Sequence, residues 1–434
     1  MDLLVVSLIL LAALAALLIS GVWIAISLLG VGFIAMAAFT NSPAGPLMAT
    51  TIWGSSASWS LTALPLFIWM GEILFRTRVS DDMFRGLAPW VEPLPGRLMH
   101  TNVVGCGIFA AISGSSAATA ATIGRITIPE LKRRGYDEAM AIGSLAGAGT
   151  LGLMIPPSII MIVYGVAADV SIARLFVAGV LPGIMLMVLF SGYIALWALL
   201  HPGRTPKRDR MTTLVEKIYA ARFLIPTVLL IGAVIGSIYA GIATPTEAAS
   251  LGVIAALILA AFEGRVSFPM LRAVAEGTMR TTAMIMLIIM AAQFLNFVLA
   301  SIGLTDGLGK MIEELGLGKI GTMILIVIFY LILGCFMETI SMMILTTPFI
   351  APIVFKLGWD PVWWGIVLTV LIEAALITPP VGLNLYVVQG MRGRGSINEV
   401  IRGSIPFVGA MIVLIALLMA APDIALWLPR IVMG

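Results

Sequence analysis

The chain has 434 residues, of which 60% are hydrophobic and only 11% charged, with a formal net charge of +3. A soluble domain carries about 25% charged residues, and a fold of this length exposes too much surface to manage with so few, so the apolar excess faces lipid. The reading is an all-α polytopic inner-membrane protein; nucleic-acid binding through a basic face, disorder and fibrous architecture are excluded.

The first residues, MDLLVVSLILLAALAALLIS, run into a second apolar stretch with no basic leader or convincing cleavage site, which predicts a retained membrane helix. A window of about 20 apolar residues places ordinary spans near 3–20, 22–40, 57–75, 173–200, 223–241, 247–262, 281–303 and 404–421. Four further stretches, 98–128, 139–166, 320–355 and 361–390, are interrupted near the middle by polar, glycine or proline residues. Unpaired backbone in lipid is costly, so such breaks persist only where protein buries them or where they line a wet cavity. The stretches 77–97 and 263–280 mix charged and apolar residues at what read as matching places in two halves, and predict arm helices at the membrane surface. The first is equally compatible with a plain loop.

Trp53, Trp59, Trp90, Trp359, Trp363, Trp364 and Trp427 fall near the predicted interfaces and read as an aromatic belt. Cys106 and Cys335 lie in apolar runs and are expected as buried thiols. His100 and His201 are too isolated for a zinc site, and no HExxH or CxxC spacing occurs.

Basic residues set the orientation. With 201–222 cytoplasmic, Arg76, Arg78, Arg85, Arg97, Lys132, Arg133, Arg134, Arg265, Arg272, Arg280, Arg392, Arg394 and Arg402 share that side. Arg174, Lys310, Lys319, Lys356 and Arg430 are left outside. The asymmetry satisfies the positive-inside rule only if 98–128 and 320–355 each enter and leave on one side. Both are therefore expected to be re-entrant hairpins, opening to opposite faces, with both termini periplasmic.

A shift of 223 residues aligns Ile128-Pro129 with Ala351-Pro352, Gly135-Tyr136-Asp137 with Gly358-Trp359-Asp360, and Pro156-Pro157 with Pro379-Pro380. The polar tip Ser113-Gly114-Ser115-Ser116 then faces Phe336-Met337-Glu338-Thr339. Two halves of opposite orientation make an inverted repeat, the usual construction of secondary transporters, whose substrate and ions bind between broken helices near the midplane. A hairpin tip offers carbonyl oxygens to a cation and N–H groups to an anion. The hydroxyls of Ser113, Ser115, Ser116, Thr339 and Ser341 complete a hard-cation shell without adding charge, which suits sodium. Each Pro-Pro pair removes two amide donors and frees carbonyls one turn earlier.

Each feature also has a structural reading. Small residues such as Ser113 to Ser116 close-pack membrane helices. Glu373, an intramembrane acid in register with Thr150, is a proton carrier, a counter-charge or a hydrogen-bonded structural acid. Glu72 and Glu247 read as structural, the latter in a capping box Thr244-Pro245-Thr246-Glu247. Arg125 is either an anion contact or an interfacial anchor.

At these residues the sequence resembles the large membrane subunit of the tripartite ATP-independent periplasmic (TRAP) transporters, dicarboxylate (DctM) type. The resemblance is carried by Ser113-Gly114-Ser115-Ser116-Ala117-Ala118-Thr119-Ala120, Gly149-Thr150-Leu151-Gly152-Leu153-Met154-Ile155-Pro156-Pro157-Ser158, Gly241-Ile242-Ala243-Thr244-Pro245-Thr246-Glu247-Ala248-Ala249 and Ile377-Thr378-Pro379-Pro380-Val381-Gly382-Leu383-Asn384. It implies sodium-coupled uptake of an organic acid by an elevator mechanism, with no cofactor beyond the coupling ions. It further implies a scaffold in 1–97 and 223–319, transport-domain parts in 98–200 and 320–434, and a cytoplasmic linker at 201–222.

Sodium sites are implied at Ser113, Ser115, Gly149, Thr150 and Pro156 in the first half, and at Gly334, Thr339, Thr378 and Gly382 in the second. Substrate contacts are implied at Ser116, Pro157, Pro380 and Asn384. The partners implied are a separate small four-helix membrane subunit and a soluble periplasmic substrate-binding protein. A self-contained sodium- or proton-coupled carboxylate symporter is the nearest alternative. A passive channel or assembly scaffold predicts no sodium dependence, and an intramembrane serine hydrolase lacks a membrane-depth base to partner Ser113 to Ser116.

Overall fold

The computed structural model describes residues 3–206, 213–304, 307, 316–335, 337–380, 382–393 and 395–434. Lys310, Phe336, Val381, Arg394 and part of the 201–222 linker lie outside the described residues. Among the described residues the chain is helical throughout, without strands. The first half holds α1 (Leu3–Ile19), α2 (Ile24–Phe39), α3 (Ala44–Ser56), α4 (Ala63–Leu74), α5 (Val79–Val91), α6 (His100–Ser113), α7 (Ser116–Arg133), α8 (Glu138–Met154), α9 (Ile159–Ala167) and α10 (Ile172–Leu200). The second holds α11 (Leu214–Ala221), α12 (Ile225–Tyr239), α13 (Pro245–Phe262), α14 (Phe268–Ser301), α15 (Gly318–Gly334), α16 (Thr339–Lys356), α17 (Pro361–Leu376), α18 (Leu383–Arg392), α19 (Ile397–Ala420) and α20 (Asp423–Met433).

The repeat is written in these boundaries. Displaced by 223 residues, α7 takes the bounds of α16, and α2, α8, α9 and α10 fall on α13, α17, α18 and α19. The landmark pair explains itself locally. Gly135 and Gly358 end one helix at φ 76 and 77, a left-handed conformation that glycine adopts without a Cβ penalty. Asp137 then caps α8 by accepting the Met140 N–H at 2.9 Å, and Asp360 caps α17 by accepting Val362 and Trp363 N–H at 2.7 and 3.2 Å.

Both hairpins form. Thr101 and Thr127, and Gly105 and Ile123, line one small crevice on either side of Gly114, so α6 and α7 run antiparallel about that tip. In the second, the Tyr330 hydroxyl meets Thr346 Oγ1 at 2.5 Å, symmetrically about Glu338. The first broken helix bends by 43° between α8 and α9.

Several expectations are corrected. The displacement pairs the first part of α14 with α3, so 263–280 is not the counterpart of 77–97; Ala44–Ser56 escapes the apolar window because its glycine, serine and threonine content dilutes the signal. That segment and the next are bent by 61°, whereas α14 runs unbroken for 34 residues. Trp363 and Trp364 are fully buried and Trp359 stacks on Trp363 at 4.0 Å, so these three do not belong to a belt. Trp53, Trp59, Trp90 and Trp427 are exposed as a belt requires. Cys106 is buried, but Cys335 at the second hairpin tip is only half-buried. The C-terminal α20 is absent from the predicted spans; it packs on α10 and α17.

Two packing groups emerge. In one, α2, α3 and α4 pack on α14, and α12 and α4 on α13. In the other, α8 is central and touches α6, α7, α10, α17, α18 and α19. Its glycine face allows this. A Cβ on Gly143 would collide with the Gly403 backbone, and one on Gly147 would lie 2.5 Å from the Phe407 ring. Helices that approach this closely gain dispersion contacts where no hydrophobic drive separates protein from lipid.

Candidate functional site

The first tip is a helix stop followed by a helix start. Gly114, at φ 58, closes α6 by donating its N–H to Ala110 O at 3.1 Å. Ser115 is extended and caps α7 by accepting the Ala118 N–H at 3.5 Å. The Ser113 and Thr119 hydroxyls bond at 2.6 Å. Thr119 is not among the site residues that the sequence singles out, although its place six residues after Ser113, across the tip turn, is the available signal.

The tip seats directly on the first break, residues 155–158. Ser116 Oγ donates to the Thr150 carbonyl at 3.1 Å. A Cβ on Gly152 would lie 2.6 Å from the Ser115 carbonyl, and one on Gly114 3.0 Å from the Pro157 carbonyl. Ser158 restarts the chain as the cap of α9, accepting the Met161 N–H at 3.4 Å. Ser113, Ser115, Ser116, Thr150 and Pro157 thus meet at one junction, with Gly149 and Pro156 next to it in the chain. The Thr150 hydroxyl itself donates to Gly147 O at 2.8 Å, leaving its carbonyl turned to the tip.

The second tip differs in chemistry. Glu338 occupies the position of Ser115 and caps α16 with both carboxylate oxygens. Oε1 accepts from Ile340 N and Thr339 Oγ1 at 3.1 and 2.9 Å, and Oε2 from Ser341 N and Oγ, both at 3.0 Å. The hydroxyls of Thr339 and Ser341 are therefore engaged by an acid within their own tip. Gly334 lets α15 close onto α17, since a Cβ there would collide with Ala375. Thr378 Oγ1 donates to Ala374 O at 2.7 Å, and Gly382, at φ 29, sits against the Leu376 carbonyl. Gly334, Thr378 and Gly382 gather at the second break; no described hydrogen bond joins Thr339 to them. Pro380 is exposed whereas Pro157 is buried. Both Pro-Pro bonds are cis.

The halves also meet here. Asn384, in the first turn of α18, is fully buried, and a Cβ on Gly149 would lie 3.3 Å from its Nδ2. Neither its Nδ2 nor its Oδ1 has a hydrogen-bond partner. Burying an unpaired amide costs about 1–3 kcal/mol. Glu373 is likewise fully buried, its carboxyl set against the backbone of Met154 at the first break.

A cavity of about 200 Å³ opens beside the first tip, between Ser113 and Ser115 on one side and Gly71, Glu72 and Phe75 of α4 and its cap on the other, with Thr281 of α14 completing the wall. Glu72, read as structural from the sequence, therefore lines this cavity; it also pairs with Arg76 at 3.2 Å. Glu247 forms the expected capping box with Thr244. Among the described residues no group of three metal-ligating His, Cys, Asp or Glu side chains exists.

Comparisons with known proteins agree with this architecture. The family described as tripartite ATP-independent periplasmic transporter, DctM component, matches residues 11–424. The C4-dicarboxylate TRAP transporter large permease protein DctM of Vibrio cholerae is 33% identical over 96% of each chain. An ectoine/5-hydroxyectoine TRAP large permease of Ruegeria pomeroyi is 31% identical over 85% of this chain and 86% of its own. An isethionate TRAP permease protein DctMQ of Oleidesulfovibrio alaskensis is 32% identical, covering 94% of this chain and 64% of that longer one. The solved YdaH transporter of Alcanivorax borkumensis superposes with a TM-score of 0.65 at 13% identity, over 93% of this chain and 96% of that one, a likeness of fold. With its inverted repeat, two hairpins and two broken helices, the chain belongs to the DctM family of TRAP large permease subunits, multi-pass membrane transport proteins rather than enzymes.

Proposed function

We propose that the chain carries an organic acid into the cell, coupled to sodium, by an elevator motion of 98–200 and 320–434 against a scaffold of 1–97 and 223–319. The observation that supports this best is the junction of the first tip with the first break. Hydroxyls, freed carbonyls and the unpaired amide of Asn384 converge there. That donor set is oxygen-rich and adds no charge, which fits a monovalent hard cation, while the helix starts at Ser115 and Ser158 offer N–H groups to a carboxylate.

On this reading sodium is held by Ser113, Ser115, Gly149, Thr150 and Pro156, and a second ion by Gly334, Thr339, Thr378 and Gly382. Substrate meets Ser116, Pro157, Pro380 and Asn384. The chain sits in the inner membrane with both termini periplasmic, works with a small four-helix membrane subunit, and receives its cargo from a periplasmic binding protein. Relatives are named for C4-dicarboxylate, isethionate and ectoine, so the permease subunit does not by itself fix the cargo.

The test is thermal unfolding of the purified chain with its small subunit, titrated with sodium against potassium and choline at matched ionic strength. A hundredfold excess over Kd stabilises by about 2.7 kcal/mol. A saturable, sodium-selective rise that Ser113→Ala and Thr339→Ala each weaken is expected. Identical curves in the three cations would refute sodium coupling, and uptake by the chain alone in liposomes would refute the need for a binding protein.

A further inference from the structure

Beside the cavity at the first tip stands an arginine that none of the site chemistry above uses. Ala118 and Ala121 of α7 line the cavity, and Arg125 follows one turn later on the same helix. Its guanidinium carbon lies 6.0 Å from the centroid of the Phe75 ring, and Phe75 is itself a wall of the cavity. A guanidinium over an aromatic ring is held by the ring quadrupole while its N–H edges stay open to a planar anion.

Several neighbouring charges are already matched. Glu72 across the cavity is paired with Arg76, which also donates to Ala273 O at 3.3 Å. Further along α7, Arg133 and Arg134 both bind Glu130, at 2.8 and 2.7 Å. Arg125 is exposed and has no carboxylate among the described residues within ion-pair distance. Arg125 therefore carries a positive charge with no carboxylate partner beside the cavity wall.

We propose that Arg125 is a specificity-determining anion contact at the cytoplasmic mouth of the transport cavity, binding a carboxylate of the cargo as it leaves the first tip. The proposal rests on the carboxylate-uptake reading for its direction, and on the cavity geometry for the site. It concerns exit and not the primary site, because at 1.5 Å per residue Arg125 stands roughly 13 Å along α7 from Ser116 at the tip.

The site is tested without transport first. The full chain in detergent is treated with phenylglyoxal, and the labelling of Arg125 is read by peptide mass spectrometry in sodium succinate against sodium chloride at matched sodium and ionic strength. Succinate is expected to slow labelling of Arg125 about threefold or more and saturably, with exposed Arg265 unchanged. Equal labelling of Arg125 in both salts overturns the proposal.

The second arm uses the chain with its small subunit in liposomes, comparing Arg125→Gln and Arg125→Lys. The interior half-saturation for succinate is expected to rise about tenfold more than the exterior one in the glutamine variant, with lysine restoring most of it. Equal changes on the two faces overturn the proposal. Protection of Arg125 in a chain that moves no succinate would instead overturn the uptake reading and leave the arginine site standing.

Discussion

Gly152→Ala tests the seating of the first tip on the first break. A Cβ at this position would stand 2.6 Å from the Ser115 carbonyl carbon and oxygen and 2.7 Å from the Ser116 N. All three are backbone atoms of a capped turn, so no side chain can rotate away. Restoring an ordinary contact of 3.4 Å requires the tip to retreat by roughly 0.8 Å, the scale on which overpacking costs about 1–3 kcal/mol. The 3.1 Å bond from Ser116 to Thr150 O cannot survive that retreat. Alanine regains about 0.8–1 kcal/mol of helix propensity over glycine, so the net loss of global stability is expected near 1 kcal/mol while the tip loses its register.

Gly192→Ala is the control, since that glycine of α10 has open space around it. Thermal unfolding with and without sodium separates the two. The control should gain stability by about 1 kcal/mol and keep its sodium response, whereas Gly152→Ala should lose most of the response. An unchanged sodium increment in Gly152→Ala would refute the argument that the tip–break contact builds the ion site.

Asn384→Leu removes a buried, unpaired amide; the cation-free protein should become more stable by about 1 kcal/mol or more, and the sodium or cargo increment should vanish in the same melts. Glu338→Ala strips four hydrogen bonds from the second tip and should cost about 1–2 kcal/mol, with Glu338→Gln recovering part of it; equal melting temperatures for all three would show that the cap is not formed. Thr244→Val breaks the capping box of α13 at a cost of about 1 kcal/mol, and hydrogen exchange at the first turn of α13 should quicken with no change in sodium affinity.

What is readable in the sequence is whatever is local. A Pro-Pro pair, a glycine followed two residues later by aspartate, and a serine-rich tip each dictate backbone within a few residues, so the four interruptions and the repeat offset emerge from spelling alone. Partnerships across the fold are not readable. Nothing near Asn384 in the chain announces that its amide reaches Gly149 in the opposite half. Glu338 looks like a free acid at a binding tip because its ligands are its own next three residues, a geometry that only a formed helix start creates. Trp363 and Trp364 follow an interfacial-looking turn, yet α17 is packed on all sides, so belt statistics mislead there. Glu72 sits one turn before a basic stretch and reads as interfacial; its place on the cavity wall depends on where α6 ends.

The two halves differ most at one inherited segment, an elbow bent by 61° in the first and an unbroken 34-residue rod in the second. At 1.5 Å per residue the rod is about 50 Å long, well beyond the roughly 30 Å of hydrocarbon it crosses. The rod is thus long enough to extend past the slab, whereas the elbow divides a similar number of residues between two shorter arms. An exchange of conformations between the halves, the usual way to picture the opposite-facing state of an inverted repeat, would have to straighten one and buckle the other. On the proposed transport reading the outward and inward states would therefore differ in shape, because the two halves cannot exchange places at this segment.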